Sequence, residues 1–160
     1  MTLTFRNLDF DQSRPLDQWP AEAIETVIDR GSLSDWGVLA AAIRANPWGA
    51  AARTAENVVS WGEHYGVDKL IERVIRHARA DIAMRGRAEY AAQIRAWRKQ
   101  SGMTLRELAR ASGTSASRLS DYENAKVAPT TDVLGRLSYA ASRPSGRTRD
   151  AALGDTALSR

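Results

Sequence analysis

LARASGTSASRLSDYENAK, Leu108–Lys126, sets a glycine between two runs that both carry helical spacing. Leu105, Leu108 and Ala109 fall on one face of the first run; Leu119 and Tyr122 fall on one face of the second. Ala109 is small, so a second helix can cross close over the first. Gly113 stands where a tight turn needs a left-handed backbone, which glycine adopts without a Cβ clash. Thr114 or Ser115 can cap the helix that follows by accepting a first-turn N–H. The segment therefore predicts two short helices crossing through a tight turn. Its second helix also raises a question. Ser115, Ala116 and Ser117 are small where an ordinary amphipathic helix shows long charged side chains to water.

Outward from this segment, the second half predicts helices near 88–100, 104–111, 115–124 and 130–140 with short connections. In the first half Trp19-Pro20 opens a helix, with Asp17 near its start and Gly31 just past its end. Ile24, Val27 and Ile28 form its apolar stripe. Ser34 is placed to cap a second helix, where Val38, Leu39, Ala42 and Ile43 recur at helical spacing, and Asn46-Pro47 ends it. A third helix covers Trp48 or Gly49 to Trp61, and the Gly62–Gly66 segment breaks the pattern. From Val67, the residues Leu70, Ile71, Val74, Ile75, Ala78 and Ile82 follow the i, i+3, i+4, i+7 rule. Gly86 either marks a border or lies inside a helix that runs through it at a penalty of about 1 kcal/mol. No segment alternates with period two for long. The expected fold class is all-α: a helical dimerisation or partner-binding bundle over 1–85, then a four- to five-helix domain over 86–142. Residues 1–16 have no clear period and read as an extended arm. Residues 143–160, rich in Ser, Gly, Arg and Asp, read as a disordered tail.

Composition narrows the class. Of 160 residues, 43 % are hydrophobic and 26 % charged, as in folded globular chains. No run approaches the roughly 20 apolar residues of a membrane helix. MTLTFRNLDFDQSRP lacks a basic segment followed by an apolar one, so no secretory signal is expected. The absence of cysteine excludes disulfides and thiolate metal sites and fits a reducing cytoplasm. Charge is uneven. Residues 1–84 hold nine Lys/Arg against twelve Asp/Glu, a net of −3, whereas residues 85–143 hold eleven against five, a net of +6. A basic block beside an acidic one suits a half that faces a polyanion; chance clustering is the plain alternative.

IRAWRKQSGMTLRELARASGTSASRLSDYENAKVAPTTDVLGRLSYA, Ile94–Ala140, resembles the lambda-repressor-like, Cro/xenobiotic-response-element type of helix-turn-helix. The resemblance rests on Ile94, Arg98, Gly102-Met103-Thr104, Leu105, Leu108-Ala109, Gly113, Ser115, Leu119, Tyr122-Glu123-Asn124, Lys126 and Pro129. It departs at Ala125, where the family usually has glycine. It implies an Arg98–Glu123 bridge, with Ala109 and Gly113 also structural, and it answers the serine question. In such domains the start of the second helix enters the major groove of double-stranded DNA. Ser115, Ala116, Ser117, Arg118 and Asp121 are then the base-reading candidates. Short side chains let the backbone approach, and arginine can engage guanine O6 and N7 together. Thr104, Arg106, Asn124, Lys126, Thr130 and Thr131 are the phosphate candidates. The plainer alternative is that the serines cap a helix and face solvent.

Other features carry less. His64 and His77 lie in separate regions with no cysteine, so neither a metal nor a cofactor is expected. Glu56 and Glu63 share a helix face but read as solvated. There is no phosphate-cradling glycine loop and no nucleophile elbow, so no catalytic residue is expected and the chain is not read as an enzyme. Trp36, Trp48 and Trp61 read as core or dimer-interface anchors. The expected function is a DNA-binding regulator, most simply a homodimeric repressor in the cytoplasm. The alternative is an antitoxin or adaptor whose residues 17–84 bind a protein partner such as a toxin.

Overall fold

The computed structural model describes residue 5 and residues 8–61 and 66–143. Among them the fold is all-α, with seven α-helices: α1 Ala21–Arg30, α2 Leu33–Ala45, α3 Ala50–Trp61, α4 Val67–Ser101, α5 Leu105–Ser112, α6 Ala116–Glu123 and α7 Thr131–Ala141. The chain divides into two compact units, Met1–Ile82 and Ala83–Arg160. The tail expected over 143–160 lies outside the described residues beyond Arg143, as do Gly62, Glu63 and His64. None of the described helices is long and apolar enough to cross a membrane.

The first unit buries the stripe expected of α1: Ile24, Val27 and Ile28 pack with Leu39, Ile43, Ala52, Ala55, Ile71 and Ile75. Leu70, Val38 and Ile82 lie at the edges of their stripes and stay partly exposed. Gly31 ends α1, but in an extended conformation rather than a left-handed one. Its requirement is space: a Cβ there would lie 2.2 Å from the Val27 carbonyl oxygen and 3.0 Å from the Trp36 indole nitrogen. That nitrogen donates to Val27 O at 2.8 Å, tying α2 to the end of α1.

One expectation is corrected here. The cap of α2 is Ser32, not Ser34. Asp35 accepts from the Ser32 N–H at 3.0 Å, and the Ser32 hydroxyl oxygen takes the Asp35 N–H at 3.3 Å. This reciprocal box satisfies two groups at once, which leaves Ser34 inside the first turn. Of the extended arm expected over 1–16, the described residues Phe5, Leu8 and Phe10 pack against the first unit. Phe5 and Phe10 meet Trp19 edge-on at 5.7 and 4.9 Å between ring centres and cover the core. Asp17 then holds the start of α3 from a distance, accepting from the Ala51 N–H at 2.8 Å and from Asn46 Nδ2 at 3.0 Å.

The second unit is built on Ile94, Leu108, Ala109, Leu119, Tyr122, Leu137 and Ala140. Helix α4 passes through Gly86 without a break, and nothing lies within 4 Å of a Cβ placed there. The glycine therefore lowers helix stability with no packing reason. Ala125 presents the opposite mismatch. It ends α6 at φ 56°, in the left-handed region, with Ala125 N–H donating to Tyr122 O and Lys126 N–H to Asp121 O. This is the paired helix-end pattern that glycine serves best.

Two substitutions should thus have the same sign for opposite reasons. Gly86→Ala should stabilise the chain by about 0.5–1 kcal/mol through helix propensity. Ala125→Gly should gain a similar amount, about 0.5–1 kcal/mol, because release of the left-handed strain exceeds the added chain entropy. Urea unfolding of each variant checks both; destabilisation by Ala125→Gly would show that the exit geometry is not strained.

Candidate nucleic-acid interface

Helix α5 begins with a second reciprocal box. Thr104 Oγ1 accepts the Glu107 N–H at 3.3 Å, and Glu107 Oε2 accepts the Thr104 N–H at 2.7 Å. It ends at Gly113, φ 68°, where the Gly113 N–H donates to Arg110 O and the Thr114 N–H to Ala109 O. The turn needs that left-handed residue to redirect the chain within two residues. Ser115 then starts α6, its hydroxyl oxygen accepting the Arg118 N–H at 3.1 Å. Ala109, nearly fully buried, lets α6 cross close above α5.

Helix α6 is fixed on its inner side by Leu119 and Tyr122, both buried in the core of this unit. Its last residue, Glu123, has a buried side chain held by Arg98 in a fork. Arg98 Nε donates to Oε1 at 2.7 Å and Nη2 to Oε2 at 3.1 Å. These bonds to Glu123 hold the Arg98 guanidinium above its ordinary, already high, pKa. Arg95 donates to the Glu123 carbonyl oxygen as well. A buried carboxylate costs several kcal/mol unless it is paired in this way.

The base-reading candidates separate into four kinds. Ser117 and Arg118 are exposed and have no side-chain partner among the described residues. Ser115 is exposed but its oxygen serves as the cap, leaving its proton to donate. Ala116 is not on the open face as expected; it is half-buried against the core, because α6 rolls that side toward Leu119 and its neighbours. Asp121 is half-buried and lies 3.5 Å from Lys126 Nζ, so it is not a free acceptor.

The phosphate candidates divide similarly. Arg106 is exposed without a partner among the described residues. Thr104 has its N–H taken by Glu107, and that carboxylate places negative charge where a phosphate would approach the helix start; only the hydroxyl proton remains to offer. Asn124 turns its amide back to Ser120 O at 2.8 Å, so its donor must be released before it can reach a phosphate. Lys126 is exposed and, among the described residues, bridged to Asp121 alone. Thr130 caps α7 by accepting the Val133 N–H at 3.4 Å, and Thr131 is the exposed first residue of that helix. Residue-level reading missed Arg95 and Arg136. Arg136 was traceable only as far as its i, i+4 spacing from Asp132, a helix-surface pair 3.1 Å apart.

The family model described as Helix-turn-helix matches residues 94–138, from the last turns of α4 through most of α7. No curated protein and no solved structure matches the chain. The matched span contains the crossed helices α5 and α6, the left-handed Gly113 turn and the Arg98–Glu123 fork. Residues 94–138 are accordingly a helix-turn-helix domain of the Cro/C1 type, the kind found in DNA-binding transcriptional regulators.

Proposed function

We propose that the chain is a sequence-specific transcriptional repressor of the cytoplasm that lays the leading end of α6 in the major groove. The observation that carries this is the state of Ser117 and Arg118. They stand uncommitted at the start of a helix whose other side is fully engaged. A fixed helix with a free polar end matches what groove recognition requires. Arg118 is the reader of guanine, Ser117 and Ser115 supply hydroxyls, and Asp121 joins once Lys126 turns to a phosphate. Arg106, Lys126, Thr130 and Thr131 set the register on the backbone. One such domain covers a short half-site, so we expect a homodimer on paired half-sites. The chemistry is binding, not catalysis.

A second reading, an antitoxin or adaptor, draws support from the first unit. A groove of about 380 Å³ between α1 and α3 is lined by Glu22, Glu25, Val58 and Trp61, among others. Trp61 is 88 % exposed and Leu33 81 %. Large exposed apolar side chains of this kind suit a protein partner. Under that reading the DNA-binding domain serves autoregulation.

Selection of bound duplexes from a random pool, followed by footprinting, tests the leading reading; failure to enrich any sequence overturns it. On the selected site, Arg118→Ala should weaken binding by about 1–3 kcal/mol and relax specificity at one base pair. Equal losses on selected and random duplexes would make Arg118 a phosphate contact. Lys126→Ala should instead weaken binding to all sequences and reduce the slope of log affinity against log salt by about one. An unchanged slope would remove Lys126 from the phosphate set.

A further inference from the structure

We infer that Arg136, on α7, is a positioning residue for DNA readout: it clamps the turn that launches the recognition helix. This rests on the proposal that α6 reads DNA. The Arg136 Nη1 group donates to Ser112 O and to Gly113 O, each at 3.2 Å. Those carbonyls end α5 and begin the turn, where the helix leaves acceptors unpaired and its dipole presents negative charge. A guanidinium meets both demands. Arg136 is itself held on the other side by Asp132 Oδ2, 3.1 Å from Nε, and its neighbour Leu137 is fully buried beside Leu108 and Leu119. A Cβ on Gly113 would come within 3.3 Å of Nη1, so the left-handed turn and the arginine fit each other closely.

The consequence concerns geometry at the reading end. Glu123 fixes the far end of α6 through Arg98 and Arg95, whereas Ser117 and Arg118 lie at the near end. The near end follows directly from Gly113, Thr114 and Ser115. Arg136 is the side chain from outside the two crossed helices that holds this turn, through two carbonyl oxygens. With the turn free to rock, α6 would pivot about its fixed end and displace Arg118 from a base edge. Non-specific attraction to phosphates would survive, since it does not depend on that register.

Lysine keeps the charge but has no planar fork to span two carbonyls and a carboxylate together. Arg136→Lys should therefore fold, lower affinity for the selected duplex by about tenfold, the equivalent of one lost charge-assisted hydrogen bond, and leave random-duplex affinity and salt slope unchanged. Amide exchange at Gly113–Ala116, followed by NMR without DNA, should quicken in the same variant. Asp132→Asn should give a smaller shift in the same direction. Arg136→Gln separates the alternatives. If Arg136 were only a phosphate contact, Arg136→Gln would lose selected and random duplexes equally while Arg136→Lys kept both. That pattern, or an unchanged selected-to-random ratio in Arg136→Lys, overturns the inference. A wild-type chain that selects no duplex overturns the functional reading, and this inference with it; quickened exchange at the turn would then show a clamp with no role in readout.

Discussion

A carboxylate taken out of water at the end of α6 is the constraint around which the second unit is arranged. Glu123 is buried, and a lone buried charge of that kind costs several kcal/mol. The fork from Arg98 offsets the cost with two charge-assisted bonds, and Arg95 secures the adjoining carbonyl. Replacing such a pair with apolar residues is often neutral or better, so net stability is a poor reason for it to exist. What an apolar contact cannot supply is direction. The planar fork fixes the rotation and height of the last turn of α6 relative to α4 in a way that Leu119 and Tyr122 sliding on the core would not.

Direction matters because α6 is a poor helix by itself. It has eight residues, well short of the roughly 12–15 an isolated helix needs to be even marginal in water. Its outer side is Ser115, Ser117 and Arg118, with no pairs that would support a helix locally. Apart from the Ser115 cap, the small side chains on that side suit approach to another surface and do nothing to hold the helix. What holds it is a serine cap, two buried anchors on its inner side, a left-handed residue at either flank, and arginines from α4 and α7. A helix freed from stabilising itself is free to specialise its outer face.

That division explains what could be read from the chain. Apolar periodicity and helix-end residues are local, so the helices appeared near their observed positions. The rule that points to Ser34 is also local: Ser34 lies next to the apolar run, but the Ser32-x-x-Asp35 box decides the start. The continuity of α4 stays open in the sequence, because Gly86 weighs against a helix there, while in the structure the 19 helical residues before it and the 15 after it, within a helix of 35, outvote it. Interactions between distant residues were not legible. Asp17 to Ala51 and Arg136 to Gly113 have no spacing signature. The Arg98–Glu123 fork was foreseen through family resemblance; the residues alone, 25 apart, do not announce it. Trp48 and Trp61, expected as core or dimer-interface anchors, are both more than half exposed and so are not core residues, since hydrophobicity marks a candidate for burial and topology decides.

The cations of the second unit are consequently of three grades, and the grades differ in what they can do. Arg98 answers a buried carboxylate, and removing it would strand that charge at a cost of about 3–5 kcal/mol. It is not available to a ligand. Lys126 faces Asp121 at 3.5 Å in the open, where such a pair is worth about 0–1 kcal/mol. A phosphate can displace that partner at little cost, and doing so uncovers the Asp121 carboxylate on the recognition helix. Arg106 and Arg118 have no partner to give up among the described residues, so contact costs them only side-chain freedom, at most about 2 kcal/mol each. Overall positive charge would attract a polyanion to any face of this unit. Arg98 is spent behind α6, whereas Lys126, Arg106 and Arg118 can each turn to a polyanion without stranding a buried charge.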